Sequence, residues 1–284
     1  MGKIAALIPA AGYSSRMGLF KPLLPIASSL VLEKPIKAFR AAGVEDILVI
    51  TGHKNFLLAP VLEGLGVKAV YNSRFDQGMY SSIQAGVAAL PEDTEAFFLL
   101  PADYAVVSSA VISQILEKYR REPHQVFYPT YNGERGHPPL ISAELRPYIL
   151  EGEADGGLRG LLESIVTDYA EIPVDDEGIL QDLDTEDDYR SLVQNQTGLA
   201  PYPTRRECEG VWQKYETPRP VILHAQQVNR VACTLCEYLN SRGFLLHTAL
   251  VQACALLHDV AKGEKQHAAK GRQIVKEMGY EEAG

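Results

Sequence analysis

Apolar positions fall into two registers along the chain. Short, mainly apolar runs at residues 4–8 and 46–51 have the length and composition of buried strands, and residues 68–71 and 96–100 read as two further strands. Between them, residues 30–42, 55–65, 79–90 and 108–121 carry apolar positions at helical spacing. Gly43, Gly66 and Pro91 close three of these stretches, and Ser108 or Ser109 is the N-cap of the last. This alternation predicts an α/β fold, a doubly wound, mostly parallel sheet covered on both faces. Ligands of such sheets bind at the carboxyl ends of the strands. The segments following residues 8, 71 and 100 are therefore expected to converge.

After residue 121 the pattern changes. Strands are predicted at residues 125–130 and 139–142, joined by YNGERGHP. Short helices at 143–150 and 158–164 are split by Asp155-Gly156-Gly157. A strand at 169–174 leads to the acidic turn QDLDTEDDY and a helix at 186–193. The first domain is predicted to span residues 1–196. Gly198, Pro201, Pro203 and Pro218, with little periodicity around them, predict a linker at 197–219. Residues 220–284 read as helix throughout.

Composition narrows the classes. A length of 284 residues suits two domains, and 46% hydrophobic residues suffice for a real core. The net charge of −9 argues against a general nucleic-acid surface. No apolar run reaches the roughly 18 residues of a membrane span, and the N-terminal run is too short for a secretory signal. Four cysteines, Cys208, Cys233, Cys236 and Cys254, fit reduced thiols and a cytoplasmic protein. Cys233 and Cys236 lie within helical periodicity and have no second pair at zinc spacing, so they read as core thiols.

The densest chemistry lies in residues 7–25, LIPAAGYSSRMGLFKPLLP. A small-residue turn after a strand lets a ligand approach the backbone closely. Exposed N–H groups together with Arg16 and Lys21 suit a polyphosphate. Neither G-x-x-x-x-G-K-[ST] nor G-x-G-x-x-G is present. Asp103 directly follows the strand end in FFLLPAD. In QDLDTEDDY, strand alternation puts Asp182 and Asp184 on one side. Carboxylates of this kind suit a Mg²⁺ ion that also holds phosphate oxygens.

The string resembles the signature loop of the nucleotidyltransferases, roughly A-A-G-x-x-x-R-M-G-x-x-K-x-L-x-P. The match runs through Ala10, Ala11, Gly12, Ser15, Arg16, Met17, Gly18, Lys21, Leu23, Leu24 and Pro25. In the molybdenum-cofactor cytidylyltransferase, or MobA-like, branch this loop wraps the triphosphate of CTP. The resemblance implies the nucleotide-diphospho-sugar-transferase-like, Rossmann-like form of the fold. It also implies Arg16 and Lys21 on the triphosphate, and metal carboxylates at Asp103 and at Asp184, with Asp182 as the alternative. The segment from Asn72 to Ser82 resembles N-x(5)-G-M-x-x-S, which implies base and ribose contacts at Gly78, Ser81 and Ser82. GERGHPPLIS and Asp155-Gly156-Gly157-Leu158-Arg159 resemble acceptor-side segments, with His137 able to hydrogen-bond an acceptor phosphate or pterin. Tyr104-Ala105 stands where the family has Met-Pro, and Glu186 where it has a proline.

The implied activity is Mg²⁺-dependent transfer of a nucleotidyl group, CMP from CTP, to phosphorylated molybdopterin with release of pyrophosphate. A molybdoenzyme would be the recipient, with no nucleic acid or membrane partner. The competing expectations are a sugar-1-phosphate nucleotidyltransferase and a non-catalytic maturation factor that only binds and hands over a cofactor. The C-terminal segment resembles the start of an HD domain, a metal-dependent phosphohydrolase fold. His224, His258 and Asp259 would be its ligands for a divalent transition metal, with His267 as a possible extra. No Asp occurs from Val260 to Gly284, which leaves Glu281 or Glu282 as the closing carboxylate. The segment is accordingly expected to be a shortened or degenerate HD-like domain, inactive as a phosphohydrolase.

Overall fold

The structure is a computed structural model that describes residues 2–13, 20–26, 29–153, 156–198, 201–242, 244 and 246–280. Ser15, Arg16, Met17, Gly18, Asp155, Glu281 and Glu282 lie outside the described residues. The chain divides between Asp184 and Thr185 into an α/β unit and a helical unit.

The first unit begins with β1 (Lys3–Pro9), followed by a small antiparallel pair, β2 (Pro25–Ile26) and β3 (Ser29–Leu30). Then come α1 (Glu33–Ala41), β4 (Asp46–Thr51), α2 (Asn55–Gly64), β5 (Lys68–Tyr71), α3 (Met79–Ala88), β6 (Thr94–Leu99) and α4 (Ser109–Arg121). It finishes with β7 (Val126–Tyr131), β8 (Glu134–Arg135), β9 (Leu140–Ser142), α5 (Arg146–Glu151), α6 (Gly157–Ile165) and β10 (Tyr169–Pro173). The sheet order is β10-β7-β9-β6-β1-β4-β5, with β8 paired to β7. β1 runs parallel to both β4 and β6, β4 to β5, and β7 to β10. Only β9 and β8 run against their neighbours.

Alternation along the strands sorts the core into two layers. Ala5, Leu7, Leu48, Ile50, Phe97 and Leu99 face α3 through Ile83 and Val87. Phe98 points the other way and meets Phe39 of α1, with ring centroids 5.4 Å apart. α4 packs beside α1 on that face. The central strands are therefore covered on both faces, whereas β5 at the sheet edge is largely exposed, against the expectation of a sheet covered on both faces. Ser108 caps α4 as expected, its hydroxyl accepting from the Val111 N–H at 3.4 Å. α1 starts later than its apolar spacing suggests, because residues 29–30 pair as β3 and Glu33 accepts from the Leu30 N–H.

The second unit holds α7 (Glu186–Thr197), α8 (Arg205–Lys214), α9 (Arg219–Ser241), α10 (Thr248–Leu257) and α11 (His267–Glu277). Two expectations of the sequence are corrected here. Residues 197–219, read as a linker, contain α8, which buries Cys208, Val211 and Trp212. The indole N–H of Trp212 donates to the Leu256 carbonyl at 3.1 Å. Thr204 and Glu207 form a capping box, so the prolines before Thr204 introduce a helix rather than interrupt structure. The helix expected to close the first domain at residue 196 groups instead with the second unit. There Tyr189 is buried, Glu186 accepts from the Tyr202 hydroxyl at 2.7 Å, and Arg190 pairs with Glu207 at 3.1 Å. No helix among the described residues is long and apolar enough to cross a membrane.

The Phe39–Phe98 contact holds one helical layer onto the sheet. Phe98→Ala should lower the unfolding free energy by about 3–5 kcal/mol through lost burial and the cavity left behind. Urea unfolding followed by far-UV circular dichroism measures this, and a loss below about 1 kcal/mol would show that the layer is held elsewhere.

Candidate active site

Three strand ends meet at one point. The Ala10 N–H donates to the Ile50 carbonyl at 2.8 Å, and the His53 N–H to the Ala11 carbonyl at 3.1 Å, which ties the end of β1 to the end of β4. The Ala102 N–H donates to the Pro9 carbonyl at 3.0 Å, which ties β1 to the segment after β6. Ala10 and Ala11 are buried, and the small side chains hold the turn close against the end of β4. A Cβ on Gly12 would meet nothing within 4 Å, so this residue faces open cleft. Gly52 is the opposite case. A Cβ there would lie 2.5 Å from the Phe75 Cβ and 2.8 Å from the Ala11 Cβ, so only glycine fits under the turn.

The resulting cleft, about 250 Å³, is lined by Ala10, Ala11, Gly12, Lys21, Gly78, Ser82 and Asp103 of the expected site residues. Tyr13, Phe75 and Met79 add an apolar wall. Gly78 precedes α3 with φ of +93°, a backbone conformation that favours glycine, and the first turn of α3 opens on the cleft.

Lys21 sits at the start of a short 3₁₀ turn, its side chain mostly buried. Its ammonium lies 2.8 Å from Asp184 Oδ1 and 3.7 Å from Asp103 Oδ2. The Leu183 N–H donates to the Asp103 carbonyl at 3.2 Å, which brings the 182–184 segment alongside the end of β6. Burial raises the Asp103 carboxyl above its ordinary value. Lys21 opposes that shift, and Asp182 and Asp184 add to it. Two carboxylates meet this ammonium, and Asp182 is near enough to act on Asp103. Hard oxygen donors grouped in this way fit a divalent cation such as Mg²⁺.

His137 and Tyr104 stand apart from the cleft lining, their rings 4.4 Å apart. The His137 ring shares its Nδ1 proton with the Leu99 carbonyl at 3.4 Å, and burial lowers its pKa. A carbonyl can only accept, so Nδ1 carries the proton and Nε2 keeps its lone pair. A neutral imidazole in this tautomer accepts an N–H or O–H rather than a phosphate oxygen. Tyr104 is pushed up to about 12 by burial, then by Asp182, Asp103 and Asp184, and so remains a neutral phenol.

Ser81, expected on the nucleotide, is buried, and its hydroxyl accepts from the Asn72 amide at 2.9 Å. It also lies 2.7 Å from the Arg74 carbonyl and 2.8 Å from the Gly78 carbonyl. Asn72 reaches Ser82 as well, at 3.1 Å, and its Oδ1 accepts from the Arg74 N–H. Ser81 is thus part of the brace behind the cleft, and Asn72 is its hub. The sequence carried Asn72 in its motif but gave no sign that it points inward.

In the second unit, His224, His258 and Asp259 come together, their ligand atoms all within 4.8 Å of one another. Asp259 is held by Lys262 at 2.5 Å, and that contact chiefly lowers its pKa. His267 is not part of the group.

An open parallel sheet with a small-residue turn, a lysine and acidic residues at its strand ends defines a transferase of the nucleotidyltransferase class. Residues 6–170 match the MobA-like NTP transferase domain, and the chain belongs to that family. It is 26% identical over 201 residues to the molybdenum cofactor cytidylyltransferase of Escherichia coli (strain K12), covering 70% of this chain and 100% of that one. A nucleotidyl transferase from Methanothermobacter thermautotroptrophicus is 26% identical with a TM-score of 0.59, over 68% of this chain and 97% of that one. CMP:2-keto-3-deoxy-manno-octonic acid synthetase, solved with CTP, shares the fold at 15% identity and a TM-score of 0.58, over 69% and 99% of the two chains.

The raised Asp103 carboxyl makes a stability prediction. A carboxyl with a raised folded-state value binds its proton more readily in the folded state, so stability falls as pH rises through the interval above the ordinary carboxylate value. Asp103→Asn should therefore raise the melting temperature by a few degrees at pH 7 in metal-free buffer. The gain should fade below about pH 4, where the carboxyl is protonated in both states. Thermal melts across that range test this, and a variant less stable than wild type at pH 7 would refute it.

Proposed function

We propose that the first unit transfers CMP from CTP to a phosphorylated acceptor of the molybdopterin class and releases pyrophosphate. The observation that carries this reading is the Lys21 ammonium between Asp103 and Asp184 at the mouth of the Ala10–Gly12 turn. The name of the E. coli relative supports cytosine and the molybdenum cofactor as the substrates.

The chain's own residues align two phosphates and balance charge, which is most of what phosphoryl chemistry asks of a protein. The turn's backbone N–H groups, Arg16 and Lys21 hold the triphosphate. Gly78, Ser82 and the first turn of α3 hold the ribose and base side of the nucleotide, braced by Asn72 and Ser81. Asp103 and Asp184, with Asp182 as the alternative, would hold Mg²⁺, which would supply positive charge for the α-phosphate and the leaving pyrophosphate. His137 Nε2 and the Tyr104 hydroxyl offer neutral hydrogen-bonding groups to a pterin-like acceptor. A molybdoenzyme would receive the product, in the cytoplasm.

Pyrophosphate release should be supported by CTP with molybdopterin, and not by ATP, GTP or UTP, nor by sugar 1-phosphates as acceptors. Lys21→Ala and Arg16→Ala should each lower kcat/KM by about ten- to hundredfold, the worth of one charge-assisted contact. Equal turnover with a sugar 1-phosphate would move the assignment to that class. Unchanged kinetics in both variants would remove the phosphate-loop assignment, and the absence of turnover with every NTP would favour a carrier role.

For the second unit we propose an HD-like helical segment that binds a divalent transition metal weakly through His224, His258 and Asp259 and does not hydrolyse phosphate esters. Lys262 already occupies the one carboxylate of the group, so a metal must displace a close ion pair. In excess Mg²⁺, added Mn²⁺ should raise the melting temperature slightly further, and this increment should vanish in His258→Ala. Mn²⁺-dependent hydrolysis of a generic phosphodiester by the full chain, lost in His258→Ala, would overturn this reading.

A further inference from the structure

We propose that the groove framed by α8, α9 and α10 in the second unit is a binding site for a phosphate-class oxyanion. The groove, about 270 Å³, is walled by Arg205, Gln226, Asn229 and Arg230 and touches Leu256. Gln226 and Arg230 stand one turn apart on the same face of α9, with Asn229 beside them. Arg205 enters from the first turn of α8.

The hydrogen-bonding inventory of these walls is one-sided. None of the lining residues is acidic. The Asn229 amide oxygen already accepts from the Cys233 thiol at 3.2 Å, which leaves its N–H₂ as the available function. The Leu256 carbonyl is taken by the Trp212 indole. Arg205 meets Glu209 through Nε at 3.2 Å, which leaves its terminal N–H groups to other partners. What faces the groove is two guanidinium groups and two side-chain amides, a donor-rich wall. Arg guanidinium forks match the oxygens of phosphate.

Arg230 is the telling residue. Several helical cations elsewhere in this chain have an acidic partner one turn away, among them Lys37 with Glu33, Lys118 with Glu122 and Arg159 with Glu163. Arg230 has Gln226, Gln227, Cys233 and Thr234 at those spacings. No ion pair or hydrogen bond to its guanidinium is present among the described residues. In a chain with 36 acidic and 27 basic residues, an unpaired guanidinium grouped with a second Arg and two amides marks a place for an external anion.

The site is distinct from the His224–His258–Asp259 group. His224 precedes Gln226 by two residues, about 200° around the helix. Its donor-rich lining, with no aromatic side chain to stack on a base, suits orthophosphate, pyrophosphate or the phosphate end of an ester.

The test is isothermal titration of the full chain, metal-free and at low salt, with orthophosphate and with pyrophosphate in separate arms. Arg230→Gln should weaken one binding component by about tenfold, and Arg205→Gln/Arg230→Gln should abolish it. Arg230→Lys, which keeps the charge without the fork, should fall between. Response to both anions would mark a single-phosphate site, and response to pyrophosphate alone a site needing both phosphoryl groups. These readouts are independent of transferase turnover, so failure of the proposed reaction leaves them standing. Superimposable isotherms for wild type and the folded double variant with both anions would overturn the proposal. So would an Arg230→Lys isotherm equal to that of Arg230→Gln.

Discussion

The first unit depends on one charge arrangement. The Lys21 ammonium lies between carboxylates at Asp103 and Asp184, the latter 163 positions away in sequence. Taking these groups partly out of water is tolerable only because they face one another. The contact therefore requires that β1 and β6 be neighbours, and that the chain return after β10 to lie against the end of β6. The parallel β1–β6 pairing and the Leu183–Asp103 backbone hydrogen bond satisfy both conditions. At Asp103 burial outweighs the lysine, and the other two acids add to it. Positive charge brought to this carboxyl would favour its ionised form, and the proposed transfer makes use of this.

Around that point the backbone is fixed by steric fit rather than by more charge. Gly52 admits no Cβ between Phe75 and Ala11, so the end of β4, the turn after β1 and the segment before α3 are held in one packing arrangement. Asn72 then uses both its amide and its oxygen to hold Ser81, Ser82 and Arg74. The Asn72 side chain and the Ser81 hydroxyl are engaged within this brace, while Ala11, Gly12 and the first turn of α3 line the cleft. A rigid frame with its donors already oriented loses little entropy when an anion arrives.

How much of this was legible follows from the range of each interaction. The parallel strands were readable because burial on both faces demands continuous apolar runs, as in residues 46–51. That Ala10, Ala11, Gly12 and Asp103 line one cleft was foreseeable because each follows a strand end closely in the chain. Residues 197–219 were misread because Pro201, Pro203 and Gly198 drew attention away from Thr204-x-x-Glu207, a local helix signal that was present. The inward turn of Ser81 left no trace in sequence, since a serine serves a nucleotide or a neighbouring carbonyl equally well. The ion pairs of Lys21 depend on which strand ends lie side by side, and spacing along the chain does not encode that.

The acidic segment acts on two kinds of group. Asp184 is held by a cation. Asp182 acts on Tyr104 and His137, both of them carried toward neutrality by burial. Asp182 keeps the phenol protonated as well, and its opposing pull on His137 is weaker than the effect of burial. A phenol O–H and an imidazole lone pair together offer a donor and an acceptor to a heterocycle with ring N–H and C=O groups. Under the proposed reaction the acceptor's ring would rest against this neutral pair. Leu183, whose side chain is buried, anchors the segment that carries Asp182 and Asp184.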